Sequence, residues 1–130
     1  MEENKKIKIL VVDDEAFILD ILSQELENDG YGVRIAENGK QALEELAYNE
    51  FDLVITDMSM PVMNGLELFL KVTEHSSFKK VPFIVMSGNF GLGGCPTKEA
   101  WGKLGAKHTL DKPAKYGDIL SAVKDIFPSN

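Results

Sequence analysis

Short apolar runs alternate with longer mixed segments along the whole chain. Ile7–Val12 (IKILVV), Leu53–Thr56 (LVIT) and Val81–Met86 (VPFIVM) are rich in β-branched residues. Near-continuous apolar runs of this length suit strands covered on both faces, as in parallel sheets. Val33–Ala36 and His108–Leu110 are weaker strand candidates. The segments between them carry helical spacing. Phe17, Ile18, Ile21, Leu22 and Leu26 form one stripe that ends near Gly30; Ala42, Leu43, Leu46 and Ala47 form a second. Leu66, Phe69, Leu70 and Thr73 form a third, and Ile119, Leu120, Val123, Ile126 and Phe127 a last one, stopped by Pro128. A short helix fits between Thr97 and Leu104. Five strand–helix alternations predict an α/β fold, a parallel sheet with helices on both faces and right-handed crossovers.

Composition narrows the class. A chain of 130 residues suits one domain, 1–130. The net charge of −7 gives no general attraction to nucleic acid or to an anionic membrane, so neither is expected as a partner. One cysteine, Cys95, excludes an internal disulfide and suits a reducing compartment. No apolar run approaches the length of a membrane span, and the start MEENKKIK lacks an apolar signal region. The expectation is a cytoplasmic protein.

Ligands of open α/β sheets sit beyond the carboxyl ends of the strands. There the first strand delivers Asp13 and Asp14, the third Asp57, the fourth Ser87 and the last Lys112. Two carboxylates ~4 Å apart repel by about 4 kcal/mol at an effective dielectric of ~20. A divalent cation relieves that repulsion, and Lys112 relieves part of it. Oxygen-only ligands, few in number, favour Mg²⁺. A carboxylate held by a metal and a lysine beside a hydroxyl donor is suited to attack phosphorus. The group therefore suggests phosphoryl transfer onto Asp57. Each residue also has an ordinary reading: Asp14 as a cap for a helix starting near Glu15, Asp57 and Ser87-Gly88 as turn residues, Lys112-Pro113 as a strand end. Their placement at successive strand ends carries the functional reading.

These residues, in this order, resemble the receiver domain of bacterial two-component response regulators. The run Asp57-Met58-Ser59-Met60-Pro61-Val62-Met63-Asn64-Gly65 is the most specific part, joined by Asp13-Asp14, Ser87 and Lys112-Pro113. The resemblance implies a five-stranded flavodoxin-like sheet of order 2-1-3-4-5. It implies that Asp57 is the phosphoacceptor, served by a sensor histidine kinase, a phosphotransfer protein or a small phosphodonor. It implies Mg²⁺ held by Asp14, Asp57 and the backbone carbonyl of Ser59, with Asp13 acting through water. Ser87 and Lys112 would bind the phosphoryl oxygens, Ser59 and Asn89 would tune its lifetime, and Lys112-Pro113 would be cis. The output would be a shift of the surface built from the fourth helix, fifth strand and fifth helix toward an unknown downstream protein. Such a chain is a switch with self-catalysed phosphorylation and dephosphorylation, not an enzyme.

Three departures stand out. The switch position three before the lysine, usually aromatic in that family, is Thr109; Phe90 and His108 are candidates to replace it. Ser87 and Lys112 lie about three positions further apart than in the family, the excess falling in the glycine-rich stretch 88–100, either a lid or a tolerated insertion. The chain stops at Asn130 after the last predicted helix, as a stand-alone receiver or a fragment would. Smaller features have bland readings: Cys95 incidental, His75 and His108 unlinked by metal spacing, Met58, Met60 and Met63 as core filling. Trp101 fits a partner surface or packing against the sheet equally. Two competing functions remain. One is a phosphorylation-independent scaffold. The other is a haloacid-dehalogenase-like phosphatase, opposed by Ser59 where that class places its acid.

Overall fold

The computed structural model describes residues 5–75 and 77–128. The first four residues, part of the leader reading, and Asn130 lie outside the described residues.

The strands are β1 (Lys8–Val12), β2 (Gly32–Ala36), β3 (Leu53–Asp57), β4 (Phe83–Ser87) and β5 (His108–Asp111). They pair in parallel in the order 2-1-3-4-5, as expected. The helices are α1 (Ala16–Asn28), α2 (Gly39–Tyr48), α3 (Gly65–Glu74), α4 (Lys98–Leu104) and α5 (Tyr116–Ile126). Alternate residues of each strand face opposite sides. Ile9, Val11, Leu53, Ile55, Ile84 and Met86 join Leu19, Leu22, Leu26, Ile119 and Val123 in the core under α1 and α5. Leu10, Val12, Val54, Phe83 and Val85 join Ala42, Leu68, Phe69, Val72 and Trp101 in the core under α2, α3 and α4. No helix among the described residues is long and apolar enough to cross a membrane.

Two local expectations are corrected. The inward face of α1 is centred on Leu19, with Leu22 and Leu26, whereas Phe17 and Ile21 are 73% and 43% exposed. The helix carries two adjacent apolar stripes that share Leu22 and Leu26, and the sheet takes only one of them. The capping reading of Asp14 also fails. The helix opens at Glu15 with no side-chain cap, and the Glu15 N–H donates to Asp13 Oδ1 at 2.9 Å.

The remaining helix ends follow the chemistry of their residues. Asn38, Asn64 and Thr97 each accept a backbone N–H from the first turn of α2, α3 and α4. Asn64 and Glu67 complete a capping box. Helix α4 is a short element of 7 residues, stopped by Gly105 at φ 118°. Trp101 on it is fully buried and meets Phe69 edge-on, with ring centroids 5.4 Å apart, so packing and not partner display is its role.

Candidate functional site

The carboxyl edge of the sheet gathers the strand-end side chains. Asp13, Asp14 and Asp57 each offer an oxygen, and these oxygens lie within 4.8 Å of one another. Asp13 and Asp57 are buried; Asp14 is exposed. The Lys112 ammonium reaches in from the end of β5, 3.2 Å from Asp13 Oδ2 and 3.2 Å from Asp57 Oδ2. The third contact, Glu15 at 3.5 Å, was not anticipated, although the contiguous DDE placed it within reach. The Lys112-Pro113 bond is cis, as the resemblance implied.

The electrostatics show a pocket short of positive charge. Burial first, then the charge of Asp13, pushes the Asp57 carboxyl above its ordinary 3.8, against the opposing pull of Lys112 and the Ser59 N–H. Burial works to lower the Lys112 ammonium, yet the charges of Asp57 and Asp13 and hydrogen bonds to both outweigh it and hold the group above its ordinary 10.5. Both groups thus favour keeping a proton. Three carboxylates against one ammonium leave two negative charges, the deficit that a divalent cation fills.

The loop after Asp57 is held by backbone contacts. The Ser59 N–H reaches back to Asp57 Oδ1 at 3.4 Å. Gly65 N donates to Met58 O at 2.8 Å, and a Cβ on Gly65 would stand 2.6 Å from the Asp57 carbonyl oxygen. Only glycine lets α3 start this close to the acceptor strand. Val62 adopts φ 70° inside a turn closed by Met63 N to Pro61 O at 2.7 Å, a strained conformation for a β-branched residue. Met58 is buried, and Met60 and Met63 pack on the core, as expected of filler.

Ser87 ends β4 at 1% exposure. Its hydroxyl donates to Asn89 Oδ1 at 2.8 Å and accepts the Asn89 N–H at 3.1 Å. Cys95 Sγ, buried, stands 3.5 Å from the Ser87 hydroxyl oxygen. No sequence signal marks that contact: eight positions and a glycine-rich turn separate the two residues. Asn89, Gly93 and Cys95 share a cleft of about 420 Å³ with Asp14 and Ser59. Thr109 lies on β5 beside Val85, half-buried. Neither candidate replacement for an aromatic is placed as a ring at that position. Phe90 packs on the core under the Lys98 ammonium, and His108 Nε2 pairs with Asp125 Oδ2 at 2.8 Å. His75 is exposed at the end of α3.

Comparison with known proteins agrees with this geometry. The chain is 42% identical over 123 residues to the uncharacterized transcriptional regulatory protein YesN of Bacillus subtilis (strain 168), covering 92% of this chain and 32% of that protein. It is 37% identical over 131 residues to the two-component response regulator-like PRR37 of Oryza sativa subsp. indica, covering 96% of this chain and 17% of that protein. The relatives thus include a plant protein as well as bacterial ones. Chemotaxis response regulator CheY4 of Vibrio cholerae superposes with a TM-score of 0.82 at 29% identity, covering 95% of this chain and 100% of that one. The chain spans a third or less of the two curated relatives named, and transcriptional regulation is said of YesN. Residues 9–124 match the response regulator receiver domain, and with its five parallel strands in the order 2-1-3-4-5 this chain belongs to that family.

Proposed function

We propose that Asp57 accepts a phosphoryl group, from the phosphohistidine of a sensor kinase or phosphotransfer protein or from a small acyl phosphate, and that the chain signals by this modification. The observation that carries the reading is the Lys112 ammonium bridging two buried carboxylates, 3.2 Å from each, in a three-acid pocket. In the transfer, an Asp57 oxygen attacks phosphorus and the bond from phosphorus to the donor breaks. The electron pair leaves on the donor's imidazole nitrogen, which takes a proton from water, or on its carboxylate. Lys112 stabilises charge on the moving oxygens, and the Ser87 hydroxyl serves them as a donor.

The donor set fits Mg²⁺: hard oxygen ligands, few of them from protein, two negative charges in excess. Asp14, Asp57 and the Ser59 carbonyl would hold it, with Asp13 through water. When bound, it would neutralise the carboxylates and orient the phosphoryl oxygens. Ser59 and Asn89 flank the acceptor and would govern access of attacking water, and so the lifetime of the acyl phosphate. Ser87 would be the switch residue, with Thr109 beside β4 in place of a ring. The surface of α4, β5 and α5 would carry the output to a protein partner. The net charge favours a protein over nucleic acid for this domain. The cytoplasmic assignment and the single-domain extent of 1–130 go with this reading. A receiver domain of this kind is a signalling switch and not a classical enzyme; self-catalysed phosphorylation and dephosphorylation are part of the proposal.

The test is to incubate the chain with Mg²⁺ and acetyl phosphate and measure its intact mass. One added phosphoryl group, missing in Asp57→Asn, is expected; no gain with either acetyl phosphate or a kinase donor overturns the reading. Thr109 in place of an aromatic favours the scaffold reading. A partner complex indifferent to Asp57→Asn would support that alternative.

A further inference from the structure

A cleft of about 570 Å³ lies between α1 and α5. Its lining is mainly apolar. Leu22, Met86 and Ile119 are buried in it, and Ile18 and Ile21 of α1 share it with Tyr116 of α5. Tyr116 is a fixed wall, because its hydroxyl donates to Asp29 Oδ2 at 2.6 Å and stands 3.1 Å from Glu25 O. The volume suits a small organic molecule. A partner helix, ~10 Å across, would lie over such a cleft and not in it.

The charged residues of the lining are Glu15, Glu25 and Lys112. Lys112 is committed at the sheet end, 3.2 Å from Asp13 and from Asp57 and 3.5 Å from Glu15. Glu25 lies ~15 Å further along α1 than Glu15. Among the described residues, no cation pairs with its carboxylate. It also stands in the last turn of α1, which carries no base, where the free carbonyls already present negative charge. From Ile9 to Val33 the chain has no lysine or arginine to offset it. An apolar cleft that closes on an uncompensated carboxylate complements a cation with an apolar body. A second copy would bring the same acids to this face and be repelled.

We propose that the cleft between α1 and α5 binds a small organic ammonium ion, its apolar body against Ile18, Ile21 and Tyr116 and its head at Glu25. The other end of the cleft is Lys112, so an occupant lies beside the lysine that Asp13 and Asp57 share. This site is separate from the acid pocket and does not depend on Asp57 accepting a phosphoryl group.

The full chain, labelled with ¹⁵N and held in excess Mg²⁺ to fill the acid pocket, is titrated with 4-phenylbutylammonium, 4-phenylbutanol and 4-phenylbutyrate. The amide signals of Ile18, Ile21 and Tyr116 are followed by NMR. Saturable shifts are expected at these amides. The ammonium should bind about fivefold more tightly than the alcohol, the scale of one exposed ion pair, and the butyrate most weakly. Glu25→Gln should keep the affinity for the alcohol and lose the preference for the ammonium. Ile21→Arg, at a position 43% exposed, should fold and bind none of the three, because its own side chain occupies the cleft. No saturable shift in wild type, equal affinity for the three probes, a Glu25→Gln that still prefers the ammonium, or an Ile21→Arg that binds it like wild type overturns the proposal. So does movement of the same amides on simple dilution of the free protein, which would assign the cleft to a second copy.

Discussion

Asp57→Asn is expected to make the metal-free chain more stable. In the pocket, Asp13 and Asp57 oxygens within 4.8 Å repel by about 3.5 kcal/mol at an effective dielectric of ~20. The exposed Asp14 adds about 1 kcal/mol at the dielectric of water, ~80. Lys112 at 3.2 Å returns about 5 kcal/mol, but it is shared with Asp13 and Glu15. These contributions nearly cancel, and burial of the Asp57 charge decides the balance against ionisation. Asparagine removes that charge, keeps an oxygen for Lys112 and offers an N–H₂ to the neighbouring acids. The expected gain is about 1–2 kcal/mol, or about 3–8 °C in Tm for a chain of this size.

The pH dependence has a definite sign. The folded chain holds the Asp57 proton to higher pH than the unfolded one, so wild type loses stability relative to the variant as pH rises above 3.8. Thermal melts in EDTA between pH 4 and 7 should show the gap widening to its full value at neutrality. Excess Mg²⁺ should then stabilise wild type and narrow the gap, because it binds the folded acids. A variant no more stable than wild type at pH 7 in EDTA, or a gap constant with pH, refutes the charge-deficit account.

Other changes have expected outcomes of different kinds. Lys112→Ala leaves two buried carboxylates without their cation and should cost about 3 kcal/mol in urea unfolding while abolishing phosphoryl uptake by intact mass. Gly65→Ala drives a Cβ against the Asp57 carbonyl, and should cost about 1–3 kcal/mol by the same unfolding measurement. Tyr116 donates to Asp29 Oδ2 at 2.6 Å and stands 3.1 Å from Glu25 O, so Tyr116→Phe should cost about 1 kcal/mol. Burial and Asp29 raise the Tyr116 phenol above its ordinary 10.0, so wild type, unlike the variant, should lose this contribution as pH climbs past 10.

The strand pattern was legible because it is local. IKILVV, LVIT and VPFIVM need cover on both faces wherever they lie, and only a sheet between helices supplies it. The boundaries shifted by a residue or two. Val81 and Pro82 lie outside β4, and Asp57 and Ser87 close β3 and β4 instead of following them. The choice between stripes on α1 was not local. Phe17 and Leu19 are equally apolar in sequence, and the sheet decides which one it covers.

The sequence by itself put Asp13, Asp14, Asp57, Ser87 and Lys112 at or just beyond strand ends, and they converge because the strands that carry them, β1, β3, β4 and β5, are neighbours in the sheet. Tertiary structure alone decided how that chemistry is shared out. It gave Lys112 to two buried carboxylates at once, turned the Glu15 N–H onto Asp13 and left α1 without a side-chain cap, buried Trp101 of α4 in the core, and brought Cys95 to the Ser87 oxygen. The physical reason is that periodicity along a strand fixes which face a side chain takes, and its position in a parallel strand fixes which end of the sheet it reaches. Hydrogen-bond partners are chosen by competition among groups a few ångströms apart, and no pattern along the chain encodes those distances.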